Sequence, residues 1–342
     1  MLEIDGSVGE GGGQIIRTAI ALAAITGKEV EIKNIRANRP KPGLSAQHLH
    51  AVKAVERLAR GETEGLELRS TRLQFSPGTL KGFEGEIDIG TAGSITLLLQ
   101  CLIPVALFAD RETSVRITGG TDVNWSPPID FYLNVFLPAL KDMGCAVHLD
   151  LKRRGYYPKG GGLVDVSVNP AQHVRGFVFQ KTGHADTIAG ISHSYGLPAH
   201  VAERQAKAAK KVLKEAGYDT KIKTEMEERT KRTTGSGITF WCGYKSGNAL
   251  GERGKRAELV GEEAARNIIT ELESAATVDV HLADQLIPYI ALSKDKSVMN
   301  VREITKHLET NIYITQKFLN VVFKVEKERT KEGKEVFVIK KE

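Results

Sequence analysis

What most limits the folds open to this chain is an order of elements that it repeats three times. Residues 2–4 read as a strand, 9–13 as a glycine-rich loop, 15–24 as an apolar helix and 30–35 as an alternating strand. A helix with Ser45 at its N-cap then runs to about Arg60, and short strands follow at 66–69 and 73–75. The same strand–helix–strand–helix–strand–strand order returns at 85–89, 97–108, 114–118, 129–143, 145–152 and 163–168. A third copy uses 176–179, 283–292, 298–301, 310–319, 321–326 and 335–340. Strands that alternate with helices in this way require a layered α/β (α+β) fold, with helices packed on sheets. Three βαβαββ units are therefore expected to build one large domain.

The third copy is interrupted. About a hundred residues separate its first strand from its first helix. They carry a basic helix at 199–216, strands at 220–224 and 237–244, and a helix at 258–273. This segment reads as a smaller inserted α/β domain. The expected division is 1–181 plus 279–342 for the repeat domain and 182–278 for the insert. The polar loop 225–236, rich in charge, Thr and Gly, is expected to be mobile. Lys207, Lys210, Lys211 and Lys214 on the basic helix are open to RNA binding or to plain solvation.

Composition removes some function classes. The longest apolar run, 97–108, is broken by Gln100 and Pro104 and is too short to cross a membrane. The acidic, strand-like start is not a secretory signal. Cys101, Cys145 and Cys242 are far apart and match no zinc or disulfide spacing, which points to a reducing cytoplasm. A net charge of +6 is compatible with a polyanionic partner.

The chemistry-bearing residues fall at junctions of the repeat. Gly9-Glu10-Gly11-Gly12-Gly13-Gln14 joins the first strand to the first helix, where backbone N–H groups favour an anion. The alternative is a turn whose glycines serve only its geometry. Glu10 is out of place beside bare phosphate unless a divalent metal bridges the two. Arg36, Arg39 and Lys41, on a loop stiffened by Pro40 and Pro42, suit a phosphate clamp or a solvated basic turn, and Gln47, His48 and His50 follow. In the second unit, Trp125, Pro127, Pro128 and Phe131 bring prolines and aromatics together at a helix start that can sandwich a purine, although Phe131 and Tyr132 are more often core residues. Gln100 stands in an apolar helix and needs a partner there. In the third unit, Asp284 can orient an imidazole, hold a metal or cap a helix. The 155–162 turn, aromatic and basic, suits contact with nucleic acid but reads first as a hairpin connection. Near the C-terminus, 303–311 carries His307 among Lys306, Glu309 and Asn311. Taken alone, such a histidine is a surface residue; given a phosphate site, a neutral imidazole is a nucleophile.

Together, 9–17, 36–43, Gln47-His48, 90–100, 119–122, 155–162, Asp284-Gln285 and the His-x-x-x-Asn of His307 and Asn311 resemble the RNA 3′-terminal phosphate cyclases over essentially the whole chain. The resemblance implies a ligase-like enzyme that uses ATP to convert an RNA 3′-phosphate end into a 2′,3′-cyclic phosphate, releasing AMP and pyrophosphate. It implies a covalent histidine–AMP intermediate on His307 and a Mg2+ or Mn2+ ion at Glu10. It also implies a nucleotide pocket of Glu10, Gln14, Arg17, Gln100, Pro127, Phe131, His281, Asp284 and Gln285, with RNA or phosphate contacts from Arg36, Arg39, Lys41, Gln47 and His48. His281 stands where the family often has a tyrosine against the adenine, and imidazole can stack there too. Two other readings stay open: a non-catalytic cyclase-like factor in ribosomal RNA processing, which would lack His307, and an enolpyruvyl transferase of similar repeats.

Overall fold

The computed structural model describes residues 1–178, 187–230 and 232–342. The first unit comprises β1 (Leu2–Asp5), α1 (Gly13–Thr26), β2 (Val30–Lys33), α2 (Ala46–Ala59), β3 (Glu62–Glu64) and β4 (Leu73–Ser76). The second comprises β5 (Glu84–Asp88), α3 (Ile95–Ala106), β6 (Thr113–Gly119), α4 (Ile129–Phe131), α5 (Leu137–Asp142), β7 (Val147–Arg153) and β8 (Gly162–Val168). One π-helical stretch, Tyr132–Phe136, joins α4 to α5. Pro138 follows it and has no N–H with which to close an α-type bond to Asn134.

The repeat is real at the level of hydrogen bonding. The first sheet runs β1-β2-β4-β3 and the second β5-β6-β8-β7, each with a parallel first pair and antiparallel partners after it. The third unit follows suit with α8 (Val280–Leu292), β13 (Ser297–Val301), α9 (Lys306–Phe318), β14 (Phe323–Arg329) and β15 (Glu335–Lys341), in sheet order β13-β15-β14. Its expected first strand, 176–179, is present as a parallel bridge from Val178 to Val298; Phe179 lies outside the described residues. Helices α1, α2, α3, α8 and α9 pack on one another, and a single apolar core runs from Ile4 through all three units to Ile339. The sheets lie outside this helical layer, so β5 and β14 carry many exposed residues.

The insert has its own core, centred on Phe240, Leu213 and Ile268. It consists of β9 (Thr187–Tyr195), α6 (His200–Glu215), β10 (Asp219–Glu227), β11 (Gly235–Cys242), β12 (Lys245–Leu250) and α7 (Ala257–Glu273), with sheet order β10-β9-β11-β12.

Several expectations need correction. The strand placed at 66–69 is instead β3, because Gly65 and Arg69 both take positive φ and turn the chain there. Two insert strands, β9 and β12, escape a hydrophobicity reading. Thr-Ile-Ala-Gly-Ile-Ser-His-Ser-Tyr is small and polar, yet β9 is central in its sheet, with Ser192, His193 and Ser194 wholly buried. Gly190 is required in β9, since a Cβ there would lie 2.4 Å from the Phe240 ring. The loop expected at 225–236 is shorter than that span, because β10 runs to Glu227 and β11 begins at Gly235. Lys231 lies outside the described residues. Helix α8 begins earlier than 283, because Asp279 rather than Asp284 caps it, accepting from Leu282 N at 2.6 Å. Helix α9 begins before 310, because Thr305 accepts from Leu308 N at 3.1 Å. That last shift places His307 in the first turn of a helix.

Candidate active site

The helices of all three units line one cavity of about 800 Å3. Its first wall is the 9–13 loop and α1. Gly9 and Gly11 have φ near +60°, which L side chains rarely adopt, and a Cβ on Gly13 would lie 2.0 Å from His48 Nε2. Gly12 is the N-cap of α1 and offers no side chain, so the first-turn amides have no capping partner from the chain. The glycines thus satisfy turn geometry and also leave an anion-attracting helix end.

His307 faces this loop with 47% of its side-chain surface exposed, a position of partial access rather than free solvation. Gln14 holds it twice. Its Nε2 donates to the His307 carbonyl at 2.8 Å, which fixes the amide so that Oε1 faces the ring and accepts from Nδ1–H. Nε2 is then the ring nitrogen left with a lone pair. It lies 2.7 Å from Glu10 Oε2, an ion pair when the ring is protonated, while Oε1 pairs with Arg39. Burial lowers the His307 pKa below the usual histidine value; Arg17, His281 and Arg39 add to this and Glu10 opposes it.

Behind the histidine, Asn311 ties three helices together: its Oδ1 accepts from Thr18 at 2.7 Å and its Nδ2 donates to the Asp284 carbonyl at 2.7 Å. Arg17 is buried and donates to Gln100 Oε1 at 3.0 Å, which gives Gln100 the partner its apolar helix demanded. Burial, with Asp279 nearby, raises the Asp284 carboxyl well above the usual range against the pull of Arg17. Gln285 donates to the His281 carbonyl at 3.1 Å, and Gln47 Oε1 accepts from Ser94 N at 2.9 Å. Arg36 lines the same cavity and donates to the Gly43 carbonyl at 2.9 Å, which braces its own loop. His48 is buried and pairs with Ser45 in the cap of α2; burial, then Arg17 and Arg36, pull it down to about 3, so it is neutral.

A family profile described as "RNA 3'-terminal phosphate cyclase" matches residues 8–325. The chain belongs to that family. A relative of that name from Archaeoglobus fulgidus is 50% identical over 326 residues, covering 95% of this chain and 98% of the relative. One from Methanosarcina barkeri is 52% identical over 333 residues, covering 97% and 98%. One from Pyrococcus furiosus is 49% identical over 345 residues, covering 100% and 99%.

Within this family fold the structure gathers Glu10, Gln14, Arg17, Arg36, Arg39, Gln47, His48, Gln100, Pro127, Phe131, His281, Asp284, Gln285 and His307 around one cavity. Lys41 is exposed and not among its lining residues. Sequence reasoning did not single out Thr18, Pro288 or Tyr289. Thr18 and Pro288 lie four residues beyond Gln14 and Asp284, so the helical period already marked them. Asn248, from β12 of the insert, also lines the cavity, and no motif around it gave notice. Trp125 stands at the cavity 97% exposed and with positive φ, which removes it from any core role.

Glu10, whose Oε2 has no polar partner besides His307 among the described residues, is a carboxylate that could hold a metal beside the histidine. A single carboxylate plus phosphate oxygens is the donor set Mg2+ or Mn2+ usually takes. Among the described residues, no helix is long and apolar enough to cross a membrane.

Proposed function

We propose that the chain is an RNA 3′-phosphate cyclase that uses ATP and works through covalent adenylylation of His307. The observation that carries this reading is the double grip of Gln14. It makes Nδ1 the protonated nitrogen and turns Nε2, 2.7 Å from Glu10 Oε2, toward a cavity containing Arg17, Arg36 and Arg39, so that parting from Glu10 exposes Nε2 as the nucleophile.

In the first step Nε2 attacks the α-phosphorus of ATP; the P–N bond forms, the bond to the β-phosphate oxygen breaks, and pyrophosphate leaves. The ring becomes cationic as it attacks, and Nδ1–H···Oε1 of Gln14 strengthens as that charge grows. Arg17, held by Gln100, and the uncapped amides of α1 meet the charge on the triphosphate. In the second step an oxygen of the RNA 3′-phosphate displaces His307 from the α-phosphorus, and the P–N bond breaks. The neighbouring 2′-hydroxyl then attacks the RNA phosphorus, loses its proton and releases AMP, which closes the 2′,3′-cyclic phosphate. Arg36, Arg39 and Gln47 are assigned to holding the RNA phosphate, and Pro127, Phe131, His281, Asp284 and Gln285 to the nucleoside. A Mg2+ or Mn2+ ion held by Glu10 would supply neutralisation of phosphate charge.

The domain division belongs to the same reading. Residues 1–181 and 279–342 form the catalytic body, and the insert, 182–278, covers it through Asn248; the two separate apolar cores support this. The non-catalytic alternative is disfavoured by a histidine held in nucleophilic form, and nothing in the cavity favours an enolpyruvyl transferase.

The deciding experiment is incubation with α-labelled ATP and Mg2+. Label is expected to stay on denatured protein, stable to alkali and labile to acid, and to be abolished by His307→Ala with the fold intact. Folded wild-type protein that takes up no label would overturn the proposal. Label persisting in His307→Ala would move the nucleophile elsewhere.

A further inference from the structure

A second cluster lies on the far side of the 127–131 turn, where the repeat domain meets the insert. Asp122, Asp130 and Arg154 come from the second unit and His193 from β9, and no side chain among them is more than 1% exposed. Arg154 grips both oxygens of Asp130 at 2.9 Å, reaches Asp122 Oδ2 at 3.3 Å and donates to Glu225 of β10 at 2.9 Å. Thr121 also donates to Asp122 Oδ2, at 2.7 Å. These bonds leave one edge of the cluster without partners. His193 Nε2 lies 3.6 Å from Asp122 Oδ1 and 3.8 Å from Asp130 Oδ2. Both His193 Nε2 and Asp122 Oδ1 are buried with no hydrogen bond at all.

The charge does not close either. Three carboxylates, those of Asp122, Asp130 and Glu225, face one guanidinium, and Lys223 reaches only the outer oxygen of Glu225, at 2.9 Å. Buried charge left uncompensated is costly, so the cluster calls for a further cation or a proton.

We propose that Asp122, Asp130 and His193 bind a first-row divalent cation of the Zn2+ class, which pins the insert to the repeat domain. The three donor atoms all lie within 4.8 Å of one another, and they form the one such group among the described residues. Around a tetrahedral Zn2+ with bonds of about 2.0–2.1 Å, donors stand roughly 3.3 Å apart, so small side-chain shifts close the site. A hydrogen bond fixes the His193 ring, since Tyr156 OH lies 2.6 Å from Nδ1; with an ion on Nε2, Nδ1–H would donate to that hydroxyl. Mixed imidazole and carboxylate donors suit Zn2+ better than Ca2+ or Mg2+. A groove of about 490 Å3 lined by Asp130, Arg154 and Glu225 reaches the Asp130 edge of the cluster. The ion would also steady the nucleotide wall, because Asp130 sits beside Phe131 on the same short helix.

The test needs neither nucleotide nor RNA, so it stands apart from the adenylylation experiment. Full-length protein without a histidine tag is stripped with chelator, given Zn2+, desalted and analysed for metal. Wild type is expected to keep about one Zn2+ per chain and to melt at a higher temperature with Zn2+ than with chelator. His193→Gln and Asp122→Asn are expected to lose both effects, Glu10→Gln to keep both, and Tyr156→Phe to bind about 10–100-fold more weakly. If Asp122→Asn fails to fold, Co2+ binding to wild type and His193→Gln replaces it, read by the visible bands of histidine-ligated Co2+. Wild type that retains no metal, showing the charge to be balanced by a proton, overturns the proposal. So does equal retention in His193→Gln.

Discussion

Replacing Gln14 with leucine tests the chemical core of the proposed mechanism. Leucine nearly fills the same space but removes the acceptor for Nδ1–H and the donor to the His307 carbonyl. In the ground state the lost ring contact is an ordinary neutral hydrogen bond, of about 0.5–1.5 kcal/mol. During attack the ring becomes an imidazolium, and the same contact becomes charge-assisted, of about 1.5–3 kcal/mol. Only the difference, about 1–1.5 kcal/mol, slows the chemical step, which corresponds to roughly a five- to thirteenfold drop. Freeing the ring to rotate or to change tautomer adds to that, so a fall of about 10–100-fold in single-turnover labelling by α-labelled ATP is expected. The loss should appear in the rate at saturating ATP. A variant that labels within about twofold of wild type would refute the reasoning. A raised KM for ATP with an unchanged maximal rate would refute it as well, since Gln14 would then serve nucleotide binding rather than the ring.

Further outcomes follow from the same geometry. Because burial holds His307 below the ordinary histidine value of 6.5, kcat/KM for labelling should rise with pH with its half-point below that value. Glu10 raises this pKa, so Glu10→Gln should move the acid limb to still lower pH while also weakening metal dependence; a limb displaced upward would contradict the assignment. Arg154→Met strands two buried carboxylates and should cost about 3–5 kcal/mol in denaturant unfolding of metal-free protein at pH 8, and less at pH 5 where the carboxyls protonate. Trp125→Ala should weaken binding of a 3′-phosphorylated RNA oligonucleotide by about 1–3 kcal/mol if the exposed ring stacks on a base. Labelling by ATP is expected to persist in that variant, and an RNA titration equal to wild type would count against stacking.

The sequence made the repeats readable wherever hydrophobic periodicity and caps agreed. Ser45 marks the start of α2 in this way, whereas Ser94 and Thr305 cap α3 and α9 ahead of the starts expected at 97 and 310. Reading failed where tertiary packing overrode composition. β9 is buried through small and hydroxyl-bearing residues that hydrogen bond inward, as Ser192 does to the Ala202 carbonyl at 2.8 Å, and so lacks an apolar signature. The Arg154 cluster was equally hidden. Its members are spread over Asp122, Asp130, His193 and Glu225, and no local spacing links residues brought together only when the insert docks. Gln14 sat in plain view, yet its importance depends on a partner 293 positions away.

The cavity itself explains why three copies of one unit suit this chemistry. The inward residues recur at helical spacing: Gln14 with Arg17 and Thr18 on α1, Leu97 with Gln100 on α3, His281 with Asp284, Gln285 and Pro288 on α8, and His307 with Asn311 on α9. Each helix alone presents a narrow polar stripe on an otherwise apolar face and cannot bury it. Packed together, α1, α3, α8 and α9 pool their stripes into one shared cavity while their apolar faces merge into one core. The polar contacts cross unit boundaries: Arg17 of the first unit meets Gln100 of the second, and Thr18 of the first meets Asn311 of the third. A half-buried histidine in a charged C-terminal helix gains its nucleophilic form from the opposite end of the chain. The site therefore exists only when the first and third units are docked, and a disturbance of α1 packing should disarm His307 before it unfolds the protein.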